Sequence, residues 1–209
     1  MEEMKDLKEQ NEKDGKKRRS PLLILIPAGV LLVGAIVLVI VLRSGKSGSL
    51  TPEKAAETAL DTSIRKDWKT LVDCMRDEEL EMLLKMDSKQ AEENGIGSAK
   101  ELRKWALEHV SDIPDPMNGS TVKSYQIIGV KTMAPDKYIR EVLDGESDEN
   151  AFYTFLNNAE EISEVDVECV IVKDGEETKG YQNVTAYKKD GHWFTTAGVQ
   201  MVDSMLRKD

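Results

Sequence analysis

Few side chains in this sequence could do chemistry, and their positions decide which chemistry is open to them. The two histidines are His109 and His192, and the two cysteines are Cys74 and Cys169. General acid–base work would need a histidine, or an acid such as Asp67, Asp166 or Glu168, desolvated until its pKa moves toward neutral pH. His109 falls at the end of a helical pattern, where an imidazolium complements the helix dipole. His192 follows an Asp-Gly turn and reads as a surface residue. Asp67 reads as a helix cap, and Asp166 and Glu168 alternate away from the apolar strand positions Val165, Val167, Cys169 and Ile171. No acid falls on an expected core face, so the sequence is read as non-catalytic.

Metal and phosphate chemistry fail on spacing. Two cysteines without a C-x-x-C pair, and only two histidines, do not make a zinc site. In Asp144-Gly-Glu-Ser-Asp-Glu-Asn150 the glycine is second and the twelfth position is Phe155, so this is a solvated turn and not a calcium loop. Gly45-Lys46-Ser47 resembles the end of a phosphate loop, but the required earlier glycine is Ile40. No metal and no cofactor is expected. Asn118-Gly-Ser and Asn183-Val-Thr match the glycosylation triplet, which matters only in a host that glycosylates exported asparagines. Cys74 and Cys169 have two readings: a disulfide, if the domain lies in an oxidising space, or two small buried hydrophobes in a helix and a strand. The aromatic residues are read as core, with Tyr125, Tyr187 and Trp193 as candidates to line a ligand cavity.

These residues are held by a chain whose most informative segment is 21–42, PLLILIPAGVLLVGAIVLVIVL, which carries no charge. As a helix it would reach roughly 33 Å, enough to cross a ~30 Å hydrocarbon core. Pro21 and Pro27 lie at its start, where few backbone bonds are lost. The leader 1–20 ends in Lys16, Lys17, Arg18 and Arg19, a cluster suited to anionic lipid headgroups. The positive-inside rule therefore puts the N-terminus in the cytoplasm and the C-terminal part outside the cell membrane. The apolar run is too long for a cleavable signal peptide, and no A-x-A follows it, so it reads as an uncleaved single-pass anchor.

The leader holds six acids and seven bases, which leaves 33 acidic against 22 basic side chains beyond it. That balance argues against nucleic acid as a partner. The leader has almost no apolar residues and reads as disordered. Residues 43–50, RSGKSGSL, read as a linker, and 51–209 are long enough for one domain with its own core.

Thr51-Pro52-Glu53 is a helix start, and apolar positions from Ala56 to Ile64 recur at helical spacing. Arg65-Lys66-Asp67 marks a break before a second helix through Trp68, Leu71, Val72 and Met75. Asp77-Glu78-Glu79 opens a third through Leu80, Leu83 and Leu84, residues 87–97 read as a loop, and Ser98 with Glu101 forms a capping box for a fourth. From Ser120 the period changes to that of a strand, Val122 to Met133. Helical spacing returns over 136–161 with a break at Asp144-Gly145. A three-stranded antiparallel meander then covers about 164–200, with Asp174-Gly175 and Asp190-Gly191 at its turns. The fold class is α+β.

TPEKAAETALDTSIRKDWKTLVDCM (51–75) resembles the first helices of nuclear-transport-factor-2-like domains, and VTAYKKDGHWFTTAG (184–198) resembles their last hairpin. The resemblance implies a cone: a curved antiparallel sheet wrapped around the first helix, with an internal cavity. Residues 134–163 depart from that pattern as a helical insertion. In arrangement the chain resembles bacterial membrane-anchored proteins with an extracytoplasmic cone. The expected role is non-catalytic binding of a protein, peptide or small ligand at the cell envelope. One alternative is a bitopic scaffold resembling components of type IV secretion or conjugation machines, which self-associates or holds an envelope protein. Another is a cavity enzyme of isomerase or dehydratase type. Membrane lipid is a partner through the anchor.

Overall fold

A computed structural model of the chain describes residues 48–113 and 119–207. The apolar span 21–42 and the Lys16–Arg19 cluster lie outside them, as does Asn118. Among the described residues no helix is long and apolar enough to cross a membrane.

The N-terminal half is helical: α1 (Pro52–Ile64), α2 (Trp68–Cys74), α3 (Asp77–Met86), α4 (Ser88–Glu93) and α5 (Ala99–His109). Each start has a local cause. Thr51 accepts the Lys54 N–H at 3.3 Å with Pro52 in the first turn, Asp67 accepts the Thr70 N–H at 3.2 Å, and Ser98 accepts the Glu101 N–H at 3.3 Å. Glu101 reaches back to the Gly97 N–H, one residue before the cap itself. Lys66 ends α1 in the left-handed region, with φ 53°. The stretch 87–97 is not all loop: Ser88–Glu93 forms one short helix, because Ala91 finds a core to enter.

The second half is a four-stranded sheet in chain order, antiparallel throughout: β1 (Thr121–Met133), β2 (Glu161–Lys173), β3 (Glu176–Lys189) and β4 (His192–Thr195). Both hairpins turn on Asp-Gly with positive φ at each residue, the backbone that the right-handed strand twist demands. Register shifts at Val122/Ser124 and Ile127/Gly129 put bulges in β1 and bend the sheet into a curve. Between β1 and β2 lie α6 (Pro135–Glu141) and α7 (Ala151–Asn157). β2 begins three residues earlier than alternation suggests, and the meander ends at Thr195. A final helix, α8 (Ala197–Leu206), follows it, and its apolar residues Val199, Val202 and Leu206 show no strand alternation.

One face of the sheet holds Val165, Val167, Cys169 and Ile171 against Ala56 and Leu60 of α1. A second core joins α2, α3, α5 and α8 through Val72, Leu80, Leu83, Leu102 and Val202. A third, built from Ile139, Leu156, Ile162, Tyr187 and Phe194, packs α6 and α7 against the sheet. The outer face carries Glu168, Lys179, Tyr181, Asp166 and Asn183, linked across strands by hydrogen bonds and so turned to water.

Candidate functional site

The site is built where these cores meet, around a carboxyl that the sequence reading takes only as part of a helix start. Glu79 is the third residue of α3, and its Oε2 accepts the Arg76 N–H at 2.6 Å, the return half of a capping box. A capping glutamate is ordinarily solvated. Here the side chain is only 2% exposed, and its other oxygen, Oε1, has no hydrogen-bond partner among the described residues. The signal that could have found it is spacing: Glu79 precedes Met82 and Leu83 by three and four positions, so it shares their buried face.

Burial pushes the Glu79 carboxyl up to about 7, against the Arg76 N–H, the Tyr187 hydroxyl and the guanidiniums of Arg76 and Arg103, which all pull it down. The Tyr187 hydroxyl interacts with that carboxyl but falls short of a well-formed hydrogen bond, and its oxygen is likewise buried without a partner among the described residues. Desolvation, followed by the Glu79 charge, holds the phenol well above its ordinary range. Tyr187 stacks on Phe194 with ring centroids 5.6 Å apart and meets Phe155 edge-on at 5.0 Å. Arg76 lies 4.9 Å over the Phe194 ring and pairs with Glu78 and Asp190, both at 3.0 Å. Arg103 donates to the Val72 and Met75 carbonyls at the end of α2 and to Asp77 at 2.8 Å.

Glu79 forms part of the wall of a cavity of about 230 Å³. The wall includes Ala55 and Ala59 of α1, Cys74 at the end of α2, Trp193 and Phe194 of β4, and Gly198 of α8. Small residues on α1 and α8 leave this space open. Thr58 and Thr62 also border it, but their hydroxyls donate to the Lys54 and Thr58 carbonyls, which spends both donors within the helix. One side is closed by Gly48 and Ser49. Ser49 exchanges two backbone hydrogen bonds of 2.8 Å with Trp193, so the end of the stretch read as a linker forms a short bridge to β4. A β-carbon on Gly48 would lie 2.7 Å from His192 Cβ and 2.8 Å from Phe194 Cζ, and its φ is +63°, so only glycine suits this approach. A second cavity of about 320 Å³ lies beyond Tyr187, between Arg76, Met82, Phe155 and Lys189.

The residues singled out by sequence are divided among these places. Trp193 lines the first cavity and Tyr187 the second. Tyr125 lines neither: it donates to Asp61 at 2.9 Å and ties β1 to α1. Cys74 and Cys169 are free thiols rather than a bonded pair. They belong to different neighbourhoods, the cavity wall and the α1–sheet core, and burial raises the pKa of each, Cys169 to about 11. His109 donates to the Trp105 carbonyl and stacks on its ring at 4.6 Å, a helix-end role. His192 is half-buried beside the Asp190 carbonyl. Asp67 caps α2 as read from the sequence.

Comparison with protein-family models, with curated proteins and with solved structures finds no match to this chain.

Proposed function

We propose that this is a single-pass membrane-anchored binding protein whose C-terminal domain, of the nuclear-transport-factor-2-like cone type, holds a small ligand outside the membrane. The observation that carries the reading is the cavity beside α1 and β4: apolar over most of its wall, half-enclosed by Gly48 and Ser49, and containing one buried carboxyl with an unbonded oxygen. Ligand sites are apolar concavities with few well-placed polar groups, and this one fits that description. The uncharged run 21–42 and the basic cluster before it support the anchor and its orientation. Tethering holds the domain at the envelope at high local concentration, so modest affinity suffices.

Glu79 also supports a second reading, a cavity enzyme of isomerase type with Glu79 as its base, since a carboxyl near neutrality is suited to proton abstraction. Such a reaction also needs a donor for the developing oxyanion, and Thr58 and Thr62 spend theirs within α1, which leaves Ser49 and Thr195 as the hydroxyls on the wall that would have to supply it. The scaffold reading calls for an apolar surface patch. Among the described residues the exposed large apolar side chains are Ile128 and Val130 on β1 and, on other segments, Leu50, Met86, Val142 and Tyr181.

The test is mass spectrometry on the full chain extracted from membranes, beside Ala59→Leu, which fills the cavity. A small molecule that travels with the wild type and is lost in the variant is the expected result. Absence of any bound molecule, together with no thermal shift on titrating propylbenzene, overturns the binding reading.

A further inference from the structure

The free oxygen of Glu79 narrows what the cavity can take. We propose that the ligand is a small hydrophobic amine, its apolar body filling the space between α1 and β4 and its ammonium donating to Glu79 Oε1. The inference rests on the binding reading and specifies its head group.

Three observations lead to it. First, the carboxyl is buried with one oxygen bonded to the Arg76 N–H, while the other has no well-formed hydrogen bond, the Tyr187 hydroxyl interacting with the carboxyl without closing one. A buried acceptor left open costs free energy that a ligand donor would recover, and a charged donor recovers most. Secondly, the positive groups facing Glu79 are already committed. Arg76, before α3, pairs with Glu78 and Asp190, and Arg103, from α5, pairs with Asp77 and two carbonyls. Counting Glu79, four carboxylates stand against the two guanidiniums and Lys189, which acts on Glu78, so the locality stays negative and suited to a cation. The remaining facing groups, Tyr187 from β3 and Cys74 from α2, are both held in their neutral forms. Thirdly, the one lysine on the rim, Lys54, is bound to Glu57 at 2.9 Å, so it does not repel an incoming ammonium strongly.

Size and shape agree. A cavity of about 230 Å³ walled by Trp193, Phe194, Met75, Leu71 and alanines suits a single ring or a short alkyl chain. A neutral alcohol would satisfy the hydrogen bond but leave the buried charge uncompensated, so it should bind less well. Protonation of Glu79 at lower pH removes the carboxylate and with it the preference for a cation.

Three molecules of matched shape separate the possibilities: phenethylamine, 2-phenylethanol and propylbenzene. Each is titrated into the full chain in lipid nanodiscs, with protection of Cys74 from alkylation as readout. Glu79→Gln in identical discs controls for partition into lipid. At pH 8 the wild type is expected to prefer the amine over propylbenzene by about tenfold or more, with the alcohol between. The preference should disappear in Glu79→Gln and shrink in the wild type at pH 6. Equal affinities for all three in the wild type overturn the amine assignment while leaving the binding reading standing. Failure of all three to protect Cys74 overturns both.

Discussion

The carboxyl of Glu79 and the hydroxyl of Tyr187 face each other inside the domain, interacting yet each keeping a buried oxygen that no described residue bonds well. One comes from the first turn of a helix and the other from the third strand, so neither local element alone would bury the pair. Their meeting places an acid of near-neutral pKa between two cavities, and most of what the domain is expected to do under changing conditions follows from it.

Stability should fall as pH rises through neutrality. The Glu79 pKa is raised from 4.5 to about 7 on folding, so between those values the native state holds a proton that the unfolded chain has lost. The favourable contribution is full below the unfolded pKa and is lost as pH rises through the folded one, on the order of 3 kcal/mol in all. Asp203, pushed up to about 6 by burial and by Asp87, contributes with the same sign over a lower window. Urea unfolding between pH 5 and 8 should therefore show a declining midpoint in the wild type. In Glu79→Gln the remaining decline should finish near pH 6. Superimposable pH profiles for the two proteins would contradict this.

Arg103 should matter more to stability than any other described surface-facing base. It closes two carbonyls at the end of α2 and an aspartate, bonds that a planar fork can make together and an ammonium cannot. Arg103→Ala is expected to cost about 2–3 kcal/mol, and Arg103→Lys to recover less than half. Asp77→Ala, at the exposed end of the same group, should cost under about 1 kcal/mol. Chemical denaturation of the three variants measures the ranking.

The two thiols should behave differently toward alkylation. Cys74 borders the cavity, whereas Cys169 is 2% exposed behind α1. Native protein is expected to take up one equivalent of maleimide at Cys74, faster as pH rises because its pKa is raised, and a second only after unfolding. Cys169→Ser, which places a hydroxyl in an apolar core, should cost about 1–3 kcal/mol, with a smaller effect at Cys74. Intact mass under native and denaturing conditions reads this directly, and a Cys74–Cys169 disulfide in exported protein would contradict it.

Gly48→Ala should loosen the chain from β4. The new β-carbon meets His192 and Phe194 and also strains a left-handed backbone, at a cost of about 1–3 kcal/mol. Because Gly48 and Ser49 close one side of the cavity, Cys74 should alkylate faster in this variant, while the pH dependence due to Glu79 persists. An unchanged Cys74 rate would mean that this contact does not govern access.

The residues read correctly from sequence are those whose structure is local. Thr51, Asp67 and Ser98 cap helices, and the two Asp-Gly pairs turn hairpins, because each needs only its neighbours in the chain. The antiparallel order of β1 to β4 and the α+β class follow from those signals and from the change of hydrophobic period at Ser120. The short helix at Ser88–Glu93 escaped the reading because its pattern is too brief, and its burial depends on a core supplied by other helices.

The sequence by itself thus determined the element types, their order and the ends of most helices, because caps, turns and periodicity act over a few residues. It also supplied the uncharged run and the basic cluster on which the proposed anchor rests. Only the tertiary structure decided that Glu79 is buried, that Tyr125 leaves the cavity to Trp193, and that Gly48 and Ser49 lie against β4. In each case burial is set by a surface arriving from a distant part of the chain. A glutamate at the start of a helix looks solvated until β3 and β4 bring Tyr187 and Phe194 over it.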